Sequence, residues 1–269
     1  MARKKDLLKA LDEDDFEIIN NKMYPNVDKN PSNITKLLEF KVKLKCKNQK
    51  QKELHNLIKE KEIVFCQGSA GTGKSYVATE TALELLKSGA YRRIIICCPN
   101  VESSSMPLGL LPGNIEEKMQ PYLDAIEFTI QKILDESGNM ISKEILSSFL
   151  KNDIIKEEAI SFLRGKTFDN SIIIVDEAEN LNKQETLLIL SRIGRNSKMI
   201  FLGDNKQIDR RDIVKSKDKC GLDFAFEVLQ GIDEIGFVEF TEEDIVRNPI
   251  ITKIMKRWNG IEETETKNK

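Results

Sequence analysis

At 269 residues the chain has room for one large α/β domain with an appendage or for two small domains, but not for two full-size α/β lobes. Hydrophobic residues at 40% and charged residues at 32% describe a globular, soluble chain. Its 42 basic and 44 acidic residues leave a net charge of −2, which excludes a global basic field for nucleic acid or membrane and leaves only local patches.

Residues 1–48 read as an N-terminal extension, too short to hold a PIN nuclease domain, and polar with mixed charge over 1–30. There is no secretory signal, and no run approaches the ~20 apolar residues that cross a bilayer. Lys41-Val-Lys-Leu-Lys-Cys-Lys47 alternates strictly, so an extended strand would carry four lysines on one face. It reads either as an edge strand guarded by lysine or as a basic strip that tracks phosphates.

From residue 62 short, wholly apolar runs recur: Ile63–Cys66, Ile94–Cys98, Ile172–Val175, Met199–Leu202 and Gly236–Phe240. Such runs predict strands buried on both faces of a parallel sheet. Helices are predicted over 75–88, from the Asn182/Glu185 capping pair to near Gly194, over 222–230, and from Asn248-Pro249 through Trp258. Residues 99–171 read as a long, mostly helical insertion, and 260–269 as a charged, disordered tail. The alternation gives an α/β fold with a doubly wound, mostly parallel sheet.

The single histidine, His55, leaves little histidine chemistry, and five cysteines without a CxxC pair argue against a zinc ribbon or a disulfide framework. A reducing, cytoplasmic compartment follows. The chemistry lies elsewhere. Gly68-Ser69-Ala70-Gly71-Thr72-Gly73-Lys74-Ser75 matches G-x-x-x-x-G-K-[ST] between a predicted strand and a predicted helix. Its glycines let backbone N–H groups curl around phosphates at a helix N-terminus. Lys74 would reach the β- and γ-phosphates of ATP and Ser75 would ligate Mg²⁺. With Tyr76, residues 68–76 form the expected nucleotide contact. Ile172–Val175 ends in Asp176-Glu177, where Asp176 would hold Mg²⁺ and Glu177 would activate water, which favours hydrolysis over transfer to a substrate. Leu202-Gly203-Asp204 leads to Gln207, placed to sense the γ-phosphate or the attacking water.

These motifs resemble the PhoH family of phosphate starvation-inducible ATPases. The resemblance rests on the phosphate loop, Asp-Glu-Ala-Glu-Asn over 176–180, and Gly-Asp-Asn-Lys-Gln-Ile-Asp over 203–209. Further stretches agree in order: Pro99-Asn-Val-Glu102, Leu108–Gly113, Phe162–Thr167, Lys219–Leu222 and Thr241–Pro249. The resemblance implies a RecA-like P-loop domain over 49–259, related to superfamily 1 helicase cores, that hydrolyses ATP. It also implies a link to RNA, with possible unwinding set by the family's association, and assembly into a homo-oligomeric ring such as a hexamer. By the same resemblance Gln51 reads adenine, Lys74, Glu177, Gln207 and Arg247 act in catalysis, and Ser75 and Asp176 hold the metal.

Two positions depart from the family pattern. Cys98 replaces an arginine, and Glu179 replaces a glutamine, so a donor of hydrogen bonds becomes an acceptor. Arg164, Lys166, Lys206, Arg210 and Arg211 are candidate nucleic-acid or inter-subunit contacts. Trp258 reads as core or interface, and 6% aromatic content gives no stacking array. Two other functions compete with the RNA-coupled ATPase: a nucleotide-dependent assembly switch with little turnover, and a P-loop kinase for a small substrate.

Overall fold

The computed structural model describes residues 40–99, 115–160, 163–210, 213–214, 219–246, 250, 253–254 and 257. Outside the described residues lie positions 1–39, the 100–113 motif, Phe162, Arg211, Arg247 to Pro249, Trp258 and the tail. The elements in chain order are α1 (Gln49–Glu60), β1 (Ile63–Gly68), α2 (Lys74–Lys87), β2 (Arg93–Cys98), α3 (Ile115–Glu136), α4 (Ser142–Lys151) and β3 (Ile155–Ala159). There follow β4 (Ser171–Val175), α5 (Lys183–Leu190), β5 (Lys198–Gly203), α6 (Gly221–Val228) and β6 (Ile235–Phe240).

All six strands are parallel, in the order β3-β2-β4-β5-β1-β6. From β1 the chain passes over β5 and β4 to reach β2 and then β3. From β4 it runs the other way, through β5 to β6. With right-handed crossovers, that reversal sends the helices to opposite faces. Residues of α1 to α4 (Leu54, Val77, Ile133, Phe149) pack with Val64, Ile96 and Ile174 on one face. Residues of α5 and α6 (Ile189, Leu222, Ala225) pack with Phe65, Ile95 and Phe201 on the other. The second face is built around Phe65, whose ring stacks on Phe201 at 4.7 Å and on Phe237 at 5.6 Å. The loops leaving β1 and β5 depart to opposite faces, so a crevice opens at the carboxyl edge beside them, the usual ligand position in such sheets.

The buried apolar runs became strands as their patterning required, and the Asn182/Glu185 capping box opens α5. The 99–171 stretch, read as mostly helical, carries α3 and α4 and also β3, whose Lys156, Glu157 and Glu158 mask it, because an edge strand need bury only part of its surface. Two expectations need correction. α5 stops at Leu190, and Gly194 instead fits where a Cβ would stand 2.2 Å from Asp169 Oδ1. The Lys41–Lys47 segment alternates exposed lysines with half-buried Val42, Leu44 and Cys46, but it is not a strand of the sheet, and it bends at Lys47. Its backbone bonds instead to Asn139 and Ser137 in the α3–α4 turn.

Candidate functional site: a phosphate loop at the sheet edge

β1 ends at Gly68 with φ +139°, where an added Cβ would lie 2.2 Å from the carbonyl oxygen of Phe240 on β6. Only glycine allows both that backbone angle and that approach. Gly73 enters α2 with φ +86°, pressed against Gln51, whose Nε2 would be 2.7 Å from an added Cβ. Buried Thr72 donates to Ser69 O at 2.9 Å. Lys74 Nζ donates to Gly68 O at 2.6 Å and Ser69 O at 3.1 Å, so the ammonium sits inside the curl of the loop. α2 has no acidic residue in its first turn, which leaves its N-terminal N–H groups and dipole to an anion.

Two neighbouring strand ends face this loop. After β4, the Asp176 carboxylate takes hydrogen bonds from the Ser75 hydroxyl and from Glu177 N at 3.1 Å. Burial raises the Asp176 carboxyl, opposed by those two bonds and by Lys74. Glu177 stands in the left-handed region at φ +53°, ψ +39°, an uncommon place for a residue with a side chain. The residue reaches solvent, yet partial burial of its carboxyl raises its proton affinity, helped by Asp176 and Asp209. Ser75 and Asp176 together offer hard oxygen donors. Mg²⁺ is commonly held by one or two protein oxygens plus phosphate and water, so these donors fit it. Among the described residues no cluster of three His, Cys, Asp or Glu could hold a metal by itself.

After β5, buried Asp204 ties two loops together. Its Oδ2 accepts from Ala70 N of the phosphate loop at 3.0 Å and from Gln207 Nε2 at 2.7 Å. Its Oδ1 accepts from Lys206 N at 3.1 Å. Gln207 is thereby held one carboxylate away from the loop. A cavity of about 750 Å³ lies beside it, lined by Gln67, Gly68, Ser69, Asp204, Lys206 and Glu242 among others.

Glu179 is buried between the β4 and β5 ends, and Gly203 leaves room for it: a Cβ there would be 2.6 Å from Glu179 Oε2. Burial pushes its carboxyl up to about 8, against bonds from its own N–H and that of Asp204, and Oε2 has no partner. Burial thus favours the protonated form of this carboxyl. A proton held in the folded chain at about 8 and in the unfolded chain at the ordinary 4.5 stabilises the fold below that window, and the contribution is lost as pH rises through it. Glu179→Gln should therefore gain melting temperature over wild type increasingly from pH 5 to pH 9. A pH-independent difference between the two melting curves would contradict this.

Gln51 is buried and placed unlike a simple base reader. Its Nε2 donates to Thr72 O at 2.9 Å, and its Oε1 accepts from Lys47 N at 2.7 Å. Tyr76 turns to α3 and donates to Glu136 at 2.7 Å. Val246 N donates to Gly71 O at 3.1 Å, so the segment leading to Arg247 is anchored on the loop. Nothing in the sequence marked this contact, because its partners are 175 positions apart. The expected basic cluster is largely neutralised. Lys206 pairs with Glu242 at 3.4 Å, Arg210 with Glu185 at 2.5 Å, and Lys166 with Glu158 at 2.6 Å. Arg164 lines a separate cavity of about 410 Å³ with Pro99, Leu181, Leu188 and Arg210. His55 bonds Thr81 Oγ1 at 3.0 Å, a structural contact.

The family model described as "PhoH-like protein" matches residues 43–259. A PhoH-like protein of Bacillus subtilis (strain 168) is 35% identical over 216 residues, covering 80% of this chain and 64% of that protein. Protein PhoH of Escherichia coli (strain K12) is 30% identical over 215 residues, covering 79% and 57%. The chain thus spans less than two thirds of the length of these curated relatives. A solved Sulfolobus solfataricus SWI2/SNF2 ATPase core in complex with double-stranded DNA aligns at a TM-score of 0.44 and 13% identity, over 76% of this chain and 46% of that one.

Proposed function

The chain belongs to the PhoH-like family, of the P-loop ATPase kind, and from that premise we propose that it hydrolyses Mg²⁺-bound ATP at this sheet edge and couples turnover to nucleic acid. Single-stranded RNA is the first candidate strand, and the working form is a ring of identical subunits. The observation that carries the reading is the convergence of the three strand ends. The phosphate loop, Ser75 bonded to Asp176, and Asp204 joining Ala70 to Gln207 all meet at one edge.

Each residue then has a task. The loop N–H groups and Lys74 bind and orient the phosphates, for which Lys74 leaves the carbonyls of Gly68 and Ser69. Ser75 and Asp176 would hold the metal, which when bound would supply positive charge against the phosphates. Glu177 takes a proton from the attacking water, and Gln207 orients that water or the γ-phosphate, steadied by Asp204. Gln51 contributes by bracing the loop, with adenine contact as its second role. Arg247 follows the anchored Val246 and is assigned to charge stabilisation, where an arginine finger contributes about 10³–10⁵ in rate. The ring reading assigns the other wall of the cleft to a neighbouring subunit. A cytoplasmic setting belongs to the same reading, and no helix among the described residues is long and apolar enough to cross a membrane.

Turnover measured on a size-defined oligomer, with and without single-stranded RNA and DNA, tests this. Stimulated hydrolysis by an ATP-stabilised oligomer is expected. Assembly with ATP but negligible turnover would replace the reading with a nucleotide switch, and phosphate transfer to a nucleoside in preference to water would replace it with a kinase.

A further inference from the structure

The lysine strip from Lys41 to Lys47 has no part in the chemistry above. The structure removes the usual reason for such a pattern. Lysines guard open sheet edges, but the edges here are β3 and β6, and the strip pairs with neither. Its backbone is occupied by side chains instead. Asn139 Oδ1 accepts from Lys41 N at 2.7 Å, Asn139 Nδ2 donates to Lys41 O at 2.8 Å, and Ser137 Oγ accepts from Lys43 N at 3.1 Å. Docked this way, the strip presents Lys41, Lys43, Lys45 and Lys47 to solvent in a row. None of the four has an ion-pair partner among the described residues. Residues 41–52 hold six lysines and no acid.

In an extended run, at about 3.3 Å per residue, the alternate lysines from Lys41 to Lys45 stand about 6.6 Å apart, and the chain bends at Lys47. A row of free cations with no aromatic among them suits a phosphodiester backbone rather than bases. The row also ends at the nucleotide site. Lys47 N donates to Gln51 Oε1 at 2.7 Å, and Gln51 Nε2 donates to Thr72 O at 2.9 Å in the phosphate loop. Next to Lys47, Asn48 caps α1 and holds Asp244 O at 3.0 Å, two residues before the Val246 contact with Gly71. One buried side chain therefore stands between the strip and the loop.

We propose that Lys41 to Lys47 bind the backbone of a single-stranded nucleic acid, and that Gln51, as a positioning residue, carries that occupancy to the phosphate loop. This rests on the reading of the chain as a nucleic-acid-coupled ATPase. The test uses the full chain and a Lys43→Gln/Lys45→Gln double variant, with labelled oligouridylate and oligothymidylate followed by anisotropy from 50 to 300 mM salt. For single strands each phosphate contact contributes about −0.7 to the slope of log K against log salt. Loss of two contacts should flatten the slope by about 1.4. Basal turnover should be unchanged and stimulation by nucleic acid lost; whichever strand raises wild-type turnover identifies the one used. An unchanged slope and intact stimulation would overturn the strip while leaving nucleic-acid coupling in place. Absence of binding by the wild type would overturn both. Gln51→Ala should keep the salt slope, since it leaves the lysines alone, yet lose stimulation; stimulation retained in that variant would overturn the relay.

Discussion

Glu177→Gln is expected to lower ATP turnover by about 10²–10⁴-fold, the usual contribution of a general base, while nucleotide still binds. The site separates the two functions spatially. Binding rests on the loop glycines, Lys74 and the Ser75–Asp176 pair, and the Glu177 carboxyl is not one of those groups. Glu177 follows Asp176 directly, reaches solvent, and has its proton affinity raised by partial burial and by Asp176 and Asp209. A carboxylate so raised is a better base toward water than an ordinary surface glutamate, and it remains ionised only above its raised value. Wild-type turnover should therefore fall as pH drops through that raised value, and the variant's residual turnover should lose that limb. Single-turnover phosphate release beside binding of a fluorescent ATP analogue reads both effects. Turnover undiminished in the variant would move the base to another residue.

The second large effect is structural. Gly68→Ala places a methyl 2.2 Å from a main-chain oxygen of β6 at a backbone angle of +139°. Neither party is a flexible side-chain end. Left-handed strain costs about 1–3 kcal/mol and overpacking a similar amount, so a loss of about 3 kcal/mol is expected. In a domain of this size that corresponds to a melting temperature lower by about 6–12 °C. The change also pushes β6 from β1, and with it the Thr241–Val246 segment that anchors on Gly71, so nucleotide affinity should fall in step. Gly89→Ala is the control: it also lies at positive φ, +72°, but a Cβ there meets nothing within 4 Å. Equal melting shifts in the two variants would show that the approach to β6 carries no weight.

The chemistry of the site was legible in sequence because its parts are contiguous. A phosphate loop needs fixed spacing between its glycines, lysine and serine, and strands β4 and β5 announce themselves as apolar runs that stop at carboxylates. The sheet was legible for a related reason. The four inner strands are largely buried on both faces, which suppresses polar residues, and β6, an edge strand with Glu239 exposed, still reads as a largely apolar run. β3 was not, since Ile155-Lys-Glu-Glu-Ala at an edge obeys no such constraint. The lysine strip was legible in its alternation but not in its partners, because Asn139 and Ser137 lie more than 90 positions away. Gln51 was recognised by resemblance, yet its hold on Thr72 depends on how α1 packs against α2. Glu179 is the sharpest case. As a letter it looks like a fixed negative charge in place of a neutral amide, whereas in the fold its burial favours the protonated, neutral carboxyl.

Turnover is assigned to this one loop. Steady-state phosphate release from Mg²⁺-bound ATP, compared between the wild-type chain and Lys74→Ala purified alike, is the test. Release by the wild type and its loss in the variant are expected. Release by Lys74→Ala equal to that of the wild type would contradict it.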